Sequence, residues 1–174
     1  MKNLVLYFSF LLIAITSCAQ IPEVRPQTVN PAFDKKISRT ISFTVPTMSV
    51  QALKESTAKV YILDAREKEE YDISHIPNAQ YIGYNQLENA VLTNIPKDGK
   101  IVLYCSIGYR SEKIGEKLRK KGFTNVHNLY GSIFEWVNQD YEVVDKNGQI
   151  TQKVHTYNKN WSQWVEEGKA EKVW

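Results

Sequence analysis

Chemistry in this chain concentrates in Cys105-Ser106-Ile107-Gly108-Tyr109-Arg110-Ser111. A thiol attacks as its thiolate, and a free cysteine has a pKa of about 8.5. What surrounds Cys105 in sequence favours the anion. Ile101 to Tyr104 is a short apolar run, too brief for a helix and preceded by Gly99, so it is expected to be a buried strand with Cys105 at its end. Gly108 permits a tight turn, and Arg110-Ser111 opens a helix expected to reach about Lys121. A strand end, a compact loop and a helix N-terminus together make a cup of inward-facing N–H groups that suits negative charge. The alternative is a buried structural cysteine, the usual fate of a free one.

The elements that must carry this loop can be read along the chain. Ile37 to Val45 alternates weakly and is expected to give a first strand with Ile41 and Phe43 on one face, stopped by Pro46. Thr47 or Ser49 caps a short helix through about Ser56, with Val50 and Leu53 on its buried side. Val60 to Leu63 is uniformly apolar, as a central parallel strand covered on both faces should be, and Asp64 lies at its carboxyl end. A helical turn or two over Glu67 to Tyr71, a brief strand at Tyr81-Ile82 and a helix from Asn85 to Leu92 follow. After Cys105, Ile114 and Leu118 mark the buried face of the next helix. Its expected solvated face carries Glu112, Lys113, Glu116, Lys117, Arg119 and Lys120, and Gly122 closes it. Val126 to Leu129 and Ser132 to Val137 are the last core strand and helix. Strands alternating with helices imply an α/β domain on a parallel sheet, whose ligands bind at the carboxyl ends of strands, where Asp64 and Cys105 both fall.

Composition narrows the class. Apolar content of 43% with 24% charged residues is that of a globular protein, and a formal charge of +3 with lysines scattered among acids makes no case for nucleic acid. Of the two cysteines, Cys18 belongs to an N-terminal segment with export character, which leaves Cys105 without a disulfide partner. His75, His127 and His155 are separated and show no zinc-ligand spacing, so no metal is expected.

Residues 1–18 carry Lys2 and then an apolar run from Leu4 to Ile15, shorter than the ~20 residues of a membrane-spanning helix and consistent with a signal peptide. Ala14-Ile15-Thr16-Ser17-Cys18 resembles a bacterial lipobox, which would make Cys18 a lipidation site and the protein an exported, periplasmic one anchored to the membrane by acyl chains. An ordinary cleaved signal and an uncleaved anchor are the alternatives. Residues 19–36, with Pro22, Pro26 and Pro31, are expected to be a flexible tether, residues 37–139 the domain, and residues 140–174 an extension packed on it. In that extension Asp145-Lys146-Asn147-Gly148 reads as a hairpin turn, and Trp161, Trp164 and Val165 fall at helical spacing. Tyr157 and the tryptophans are expected to pack on the domain; capping the site or binding a partner is the other use for them.

Three ordered stretches resemble the rhodanese-like family. Asp64-Ala65-Arg66-Glu67-Lys68-Glu69-Glu70-Tyr71, continuing through His75-Ile76-Pro77-Asn78-Ala79, is similar to the pattern D-x-R-x-x-x-E-[FY]-x-x-G-H-I-P-G-A. Cys105 to Ser111 is similar to the loop C-x-x-G-x-R-[SA], and Gly131-Ser132-Ile133-Phe134-Glu135-Trp136 to a closing G-G-x-x-x-W. Ser74, Asn78 and Ser132 each stand where the family has glycine. The resemblance implies a three-layer α/β fold, with a parallel sheet of about five strands flanked by helices. It also implies a sulfurtransferase in which Cys105 takes the outer sulfur of a donor such as thiosulfate and passes it to cyanide or a thiol, with no cofactor beyond the transient sulfur. Ser106 to Ser111 would supply the donors around the persulfide, Arg110 would steady the loop or bind the donor anion, Asp64 and Arg66 would support the structure, and His75 would make a structural hydrogen bond. Two rivals remain: a binding module on the same fold, and a cysteine phosphatase or arsenate reductase. The latter's loop, C-x-x-x-x-x-R, is one residue longer than the spacing from Cys105 to Arg110.

Overall fold

Strand side chains alternate between faces, so a strand that is apolar throughout needs cover on both sides. Ile101–Tyr104 meets that condition in the computed structural model, which describes residues 25–174: all four residues are buried. In chain order the elements are α1 (Pro31–Ser38), β1 (Thr47–Met48), α2 (Val50–Lys54), β2 (Tyr61–Asp64), α3 (Lys68–Ile73), β3 (Gln80–Tyr81), α4 (Asn89–Leu92), β4 (Ile101–Tyr104), α5 (Tyr109–Lys120), β5 (Val126–Leu129) and α6 (Ser132–Asn138). The extension adds β6 (Val143–Val144), β7 (Ile150–Thr151), β8 (Lys153–His155), α7 (Lys159–Ser162) and β9 (Glu171–Val173).

The main sheet has five parallel strands in the order β1-β5-β4-β2-β3. Val102 and Tyr104 of β4 enter one core with Val50, Leu53, Leu129, Ile133 and Phe134. Ile101 and Leu103 enter the other with Leu63, Ile82, Ile114 and Leu118. Asp64 pairs in register with Tyr104, which sets the end of β2 beside the residue preceding Cys105. The molecule is therefore an α/β fold whose parallel sheet carries helices on both faces.

Residues 25–36 are not a loose tether. Asn30 accepts from the N–H groups of Ala32 and Phe33, Pro31 occupies the first turn, and α1 follows. Phe33 and Ile37, one turn apart, are fully buried, and the Phe33 ring stacks on Trp164 at 5.6 Å between centroids. Arg25 pairs with Asp34 at 2.6 Å, and the Tyr130 hydroxyl donates to Asp34 Oδ1 at 2.9 Å. Three prolines mask a helix that packing, not propensity, stabilises.

The expected first strand is also replaced. Ile37 ends up in α1, and the segment after it pairs with no strand. The N–H groups of Ser42 and Thr44 instead donate to the two carboxylate oxygens of Glu112, at 2.8 and 2.9 Å. Glu112, assigned from the sequence to a solvated face, is consequently buried, while Phe43 turns outward with φ 54°. The short β1 takes the sheet edge beside β5, and α4 begins only at Asn89.

The extension is integrated with the rest. His75 and Val144 exchange backbone hydrogen bonds at 2.8 and 2.9 Å, β6 and β7 form an antiparallel hairpin, and Val154 and Val165 are fully buried in the core that holds Phe33. The aromatic pattern near Trp161 forms one helical turn, α7, capped by Asn158. Truncating Phe33→Ala should cost about 3–5 kcal/mol, as for a buried phenylalanine elsewhere. Urea unfolding of the variant measures it, and a free tether would show no change.

Candidate active site

The Cys105 loop is held from below by β5 and α6. Ser132 Oγ accepts from the Cys105 N–H at 3.2 Å and donates to the Leu129 carbonyl at 3.1 Å. The N–H groups of Ile133 and Phe134 donate to the carbonyls of Cys105 and Ser106, at 3.2 and 3.3 Å. Asn128, buried on β5, grips the other end: its Nδ2 donates to the Gly108 carbonyl at 2.9 Å, and the Ser111 hydroxyl donates to its Oδ1 at 2.7 Å. Gly108 has φ 120°, a conformation closed to side-chain-bearing residues, and this turns its own N–H toward Cys105 Sγ at 3.2 Å. Ser106 and Ile107 are buried beneath the rim, whereas Tyr109 stands on it, half exposed.

Burial alone would push the Cys105 thiol up. The charge of Arg110, together with hydrogen bonds from the N–H groups of Ser111 and Gly108, outweighs it and holds the thiol below its ordinary value. The Ser111 hydroxyl is already engaged by Asn128, so the main-chain donors carry most of this hydrogen bonding.

Arg110 is itself fixed by Glu70 of α3. Nη1 reaches Oε2 at 2.5 Å, Nη2 reaches Oε1 at 2.8 Å, and Nη2 also donates to Ser106 Oγ at 3.0 Å. Glu70 Oε2 additionally accepts from the Glu67 N–H at the start of α3. Burial works against the Glu70 carboxylate, but Arg110 and then Arg66 hold its pKa below the usual value. Arg110 thereby ties Ser106 of the loop to Glu70 of α3.

Asp64 and Arg66 form a fully buried pair at 2.7 Å, and Arg66 Nη2 donates to the Ser74 carbonyl at 2.5 Å. Burial opposes the Arg66 charge, but Asp64 keeps the guanidinium protonated. Their contacts support the chain leading to His75 and do not include the sulfur. His75 Nδ1 lies 2.9 Å from the Tyr71 carbonyl, and its ring stacks on Tyr71. Cys18 lies outside the described residues. Among the described residues no cluster of three or more His, Cys, Asp or Glu is arranged to hold a metal ion.

Sequence reasoning gave no role to Glu70, Asn128 or Ser132. Glu70 is the glutamate of the D-x-R-x-x-x-E pattern, four residues after Arg66, and that spacing is its signal in the sequence. Two of the three departures from glycine, Asn78 and Ser132, adopt positive φ (65° and 53°), so the backbone keeps the turn despite the side chain.

Above the sulfur lies a pocket of about 400 Å³ lined by Thr40, Tyr84, Cys105, Ser106, Ile107, Tyr109, Arg110, Tyr157 and Trp161. Tyr157 sits with its ring 5.4 Å from the Arg110 guanidinium carbon. Its φ of 65° is unusual for an aromatic residue, and its N–H donates to His155 Nδ1 at 3.1 Å. His155 Nδ1 lies 3.9 Å from Glu70, and burial holds this imidazole below its ordinary pKa.

Two measurements test these assignments. Thiolate content rises with pH through the Cys105 pKa, so removing the Arg110 charge should move the pH profile of iodoacetamide alkylation upward in Arg110→Gln. Arg66→Ala leaves Asp64 buried and unpaired, and urea unfolding should show a loss of about 3–5 kcal/mol.

Residues 49–139 match the family described as the rhodanese-like domain. The chain is 37% identical over 122 residues to a tRNA uridine(34) hydroxylase of Aster yellows witches'-broom phytoplasma, a match covering 66% of this chain and 39% of that protein. It is 35% identical over 86 residues to a probable adenylyltransferase/sulfurtransferase, MoeZ, of Mycobacterium tuberculosis, covering 49% of this chain and 22% of the relative. The chain thus spans well under half the length of these relatives. Among solved structures, a rhodanese-related protein of Thermoplasma volcanium superposes with TM-score 0.51 at 27% identity, covering 57% of this chain and 97% of that one. A thiosulfate sulfurtransferase of Pseudomonas aeruginosa shares the fold, with TM-score 0.52 at 21% identity over 70% of this chain and 23% of the other. With the matched segment spanning more than half of its length and holding the Cys105 loop, the chain belongs to the rhodanese-like domain family.

Proposed function

We propose that this protein is a sulfurtransferase that carries sulfane sulfur as a persulfide on Cys105. The observation behind this reading is a thiol biased toward its anion at the floor of an open pocket, with Arg110 and the Gly108 and Ser111 N–H groups around it. In the first half-reaction the Cys105 thiolate attacks the outer sulfur of a donor. With thiosulfate, the simplest one, the donor's S–S bond breaks, sulfite leaves with the bonding pair, and Cys105 holds the S–S⁻ group. In the second, cyanide or a thiolate attacks that terminal sulfur and the Cys105 thiolate departs. The sulfur group on Cys105 carries −1 before and after each transfer, so fixed donors serve both states without rearranging.

Phosphatase chemistry fits less well. A transferred phosphoryl group needs a guanidinium free to meet its oxygens, whereas both Nη atoms of Arg110 face Glu70. The export reading of residues 1–18 adds a location to the proposal. Lipidation at Cys18 would hold the domain to a membrane outside the cytoplasm, and metabolic palmitate labelling lost in Cys18→Ala would support it.

Treatment with excess thiosulfate should add ~32 Da to Cys105 as the thiolate becomes a persulfide. Cyanide should remove the adduct as thiocyanate, and Cys105→Ser should show neither event. An unmodified Cys105 that stays reactive toward iodoacetamide would favour a binding module on the same fold.

A further inference from the structure

The pocket above Cys105 has walls of a different character from its floor. Ile107 and Tyr109 rise from the loop, Tyr84 follows β3, Thr40 follows α1, and Tyr157 and Trp161 come from the extension. Among the described lining residues the only cationic group is Arg110, and Glu70 already takes both of its Nη atoms, at 2.5 and 2.8 Å. Thiosulfate is a dianion and releases a dianion. Entering here, it sheds water against aromatic faces with no uncommitted cation among the described lining residues to receive it. A donor of the form R–SO₂–S⁻ carries one negative charge and places its R group against the same walls.

The extension's aromatic residues are held where they are. Tyr157 keeps a positive φ, anchored by its N–H to His155 and by its ring over Arg110. A strained residue on a pocket wall points to a use for its position. Trp161 is fixed by its N–H to Asn158 Oδ1 at 3.1 Å, and Lys36 Nζ lies 4.9 Å from its ring. Neither residue lies in the segment, 49–139, that matches the family.

Building on the sulfurtransferase reading, we infer that the site is selective for sulfane donors carried on an aromatic group, aryl thiosulfonates being the chemical class, and that Tyr157 and Trp161 set this preference. The step balances: the Cys105 thiolate attacks the outer sulfur of Ar–SO₂–S⁻, the S–S bond breaks, the arylsulfinate Ar–SO₂⁻ leaves with the electron pair, and the Cys105 persulfide anion remains. No proton or external oxidant is needed. Transfer to cyanide then restores the thiolate and yields thiocyanate.

The test compares kcat/KM of the full chain for benzenethiosulfonate, methanethiosulfonate and thiosulfate, with cyanide as acceptor and the mass of Cys105 as a second readout. Benzenethiosulfonate should exceed each of the others by about tenfold or more, the discrimination an apolar pocket gives for a group of this size. In Tyr157→Ala, a change at an exposed side chain, and in Trp161→Leu, which keeps an apolar contact, the benzene-to-methane ratio should fall toward unity. Equal rates for the three donors, or a preference for thiosulfate, would overturn the aryl selectivity and leave sulfur transfer standing. A ratio unmoved in both variants would overturn the assignment to Tyr157 and Trp161. If no donor adds sulfur to Cys105, the sulfurtransferase reading falls and this inference with it.

Discussion

A negative sulfur withdrawn from water is unstable unless opposite charge and hydrogen-bond donors surround it, and the structure around Cys105 answers that need. Arg110 supplies the charge, but a guanidinium buried beside a thiol would itself be costly without Glu70, whose carboxylate takes both of its nitrogens. Glu70 is in turn fixed at the start of α3 through the Glu67 N–H. The chain of dependence runs from α3 through one ion pair to the sulfur, and β2, which sets α3 in place, is the strand beside β4. Fully paired, such a network tolerates burial; with any partner missing it leaves an unpaired charge inside the protein.

Much of the frame was legible because its strands are short apolar runs. Ile101 to Tyr104 and Val126 to Leu129 are strands with those boundaries, and the helix after Cys105 ends one residue before the expected limit. What the pattern could not show is where unpaired backbone groups go. Ser42 and Thr44 look like strand residues, yet their N–H groups are satisfied by the side chain of Glu112 on α5. That is a tertiary arrangement with no local signature. The same holds for α1, whose Phe33 and Ile37 form a stripe too short to stand out amid prolines and whose stability comes from Trp164 and Phe134 across the fold.

At the site, local sequence located the loop and missed its supports. Cys105, Gly108 and Arg110 are close in sequence, so their spacing carries the geometry of a turn. Asn128 and Ser132 act on loop residues 17 to 27 positions away, and each is an ordinary polar residue in a helix-or-strand context. Ser132 stands where the family pattern has glycine, yet its hydroxyl both receives the Cys105 N–H and donates to Leu129, so the replacement adds a brace to the loop. The aromatic residues of the extension posed a different problem: spacing gave a helical turn, but their position over the pocket depends on β8 packing beside α3.

The pocket's construction separates two properties that usually change together. The sulfur's ionisation is governed by groups inside residues 49–139, whereas Thr40, Tyr157 and Trp161, which shape the entrance, lie in segments before and after it. Drift at Thr40 and Trp161 can redraw what fits without changing the groups that hold the sulfur's charge, whereas Tyr157, over Arg110, sits where the two properties meet. The charge on the sulfur and the shape of its entrance are thus set largely by different stretches of the chain.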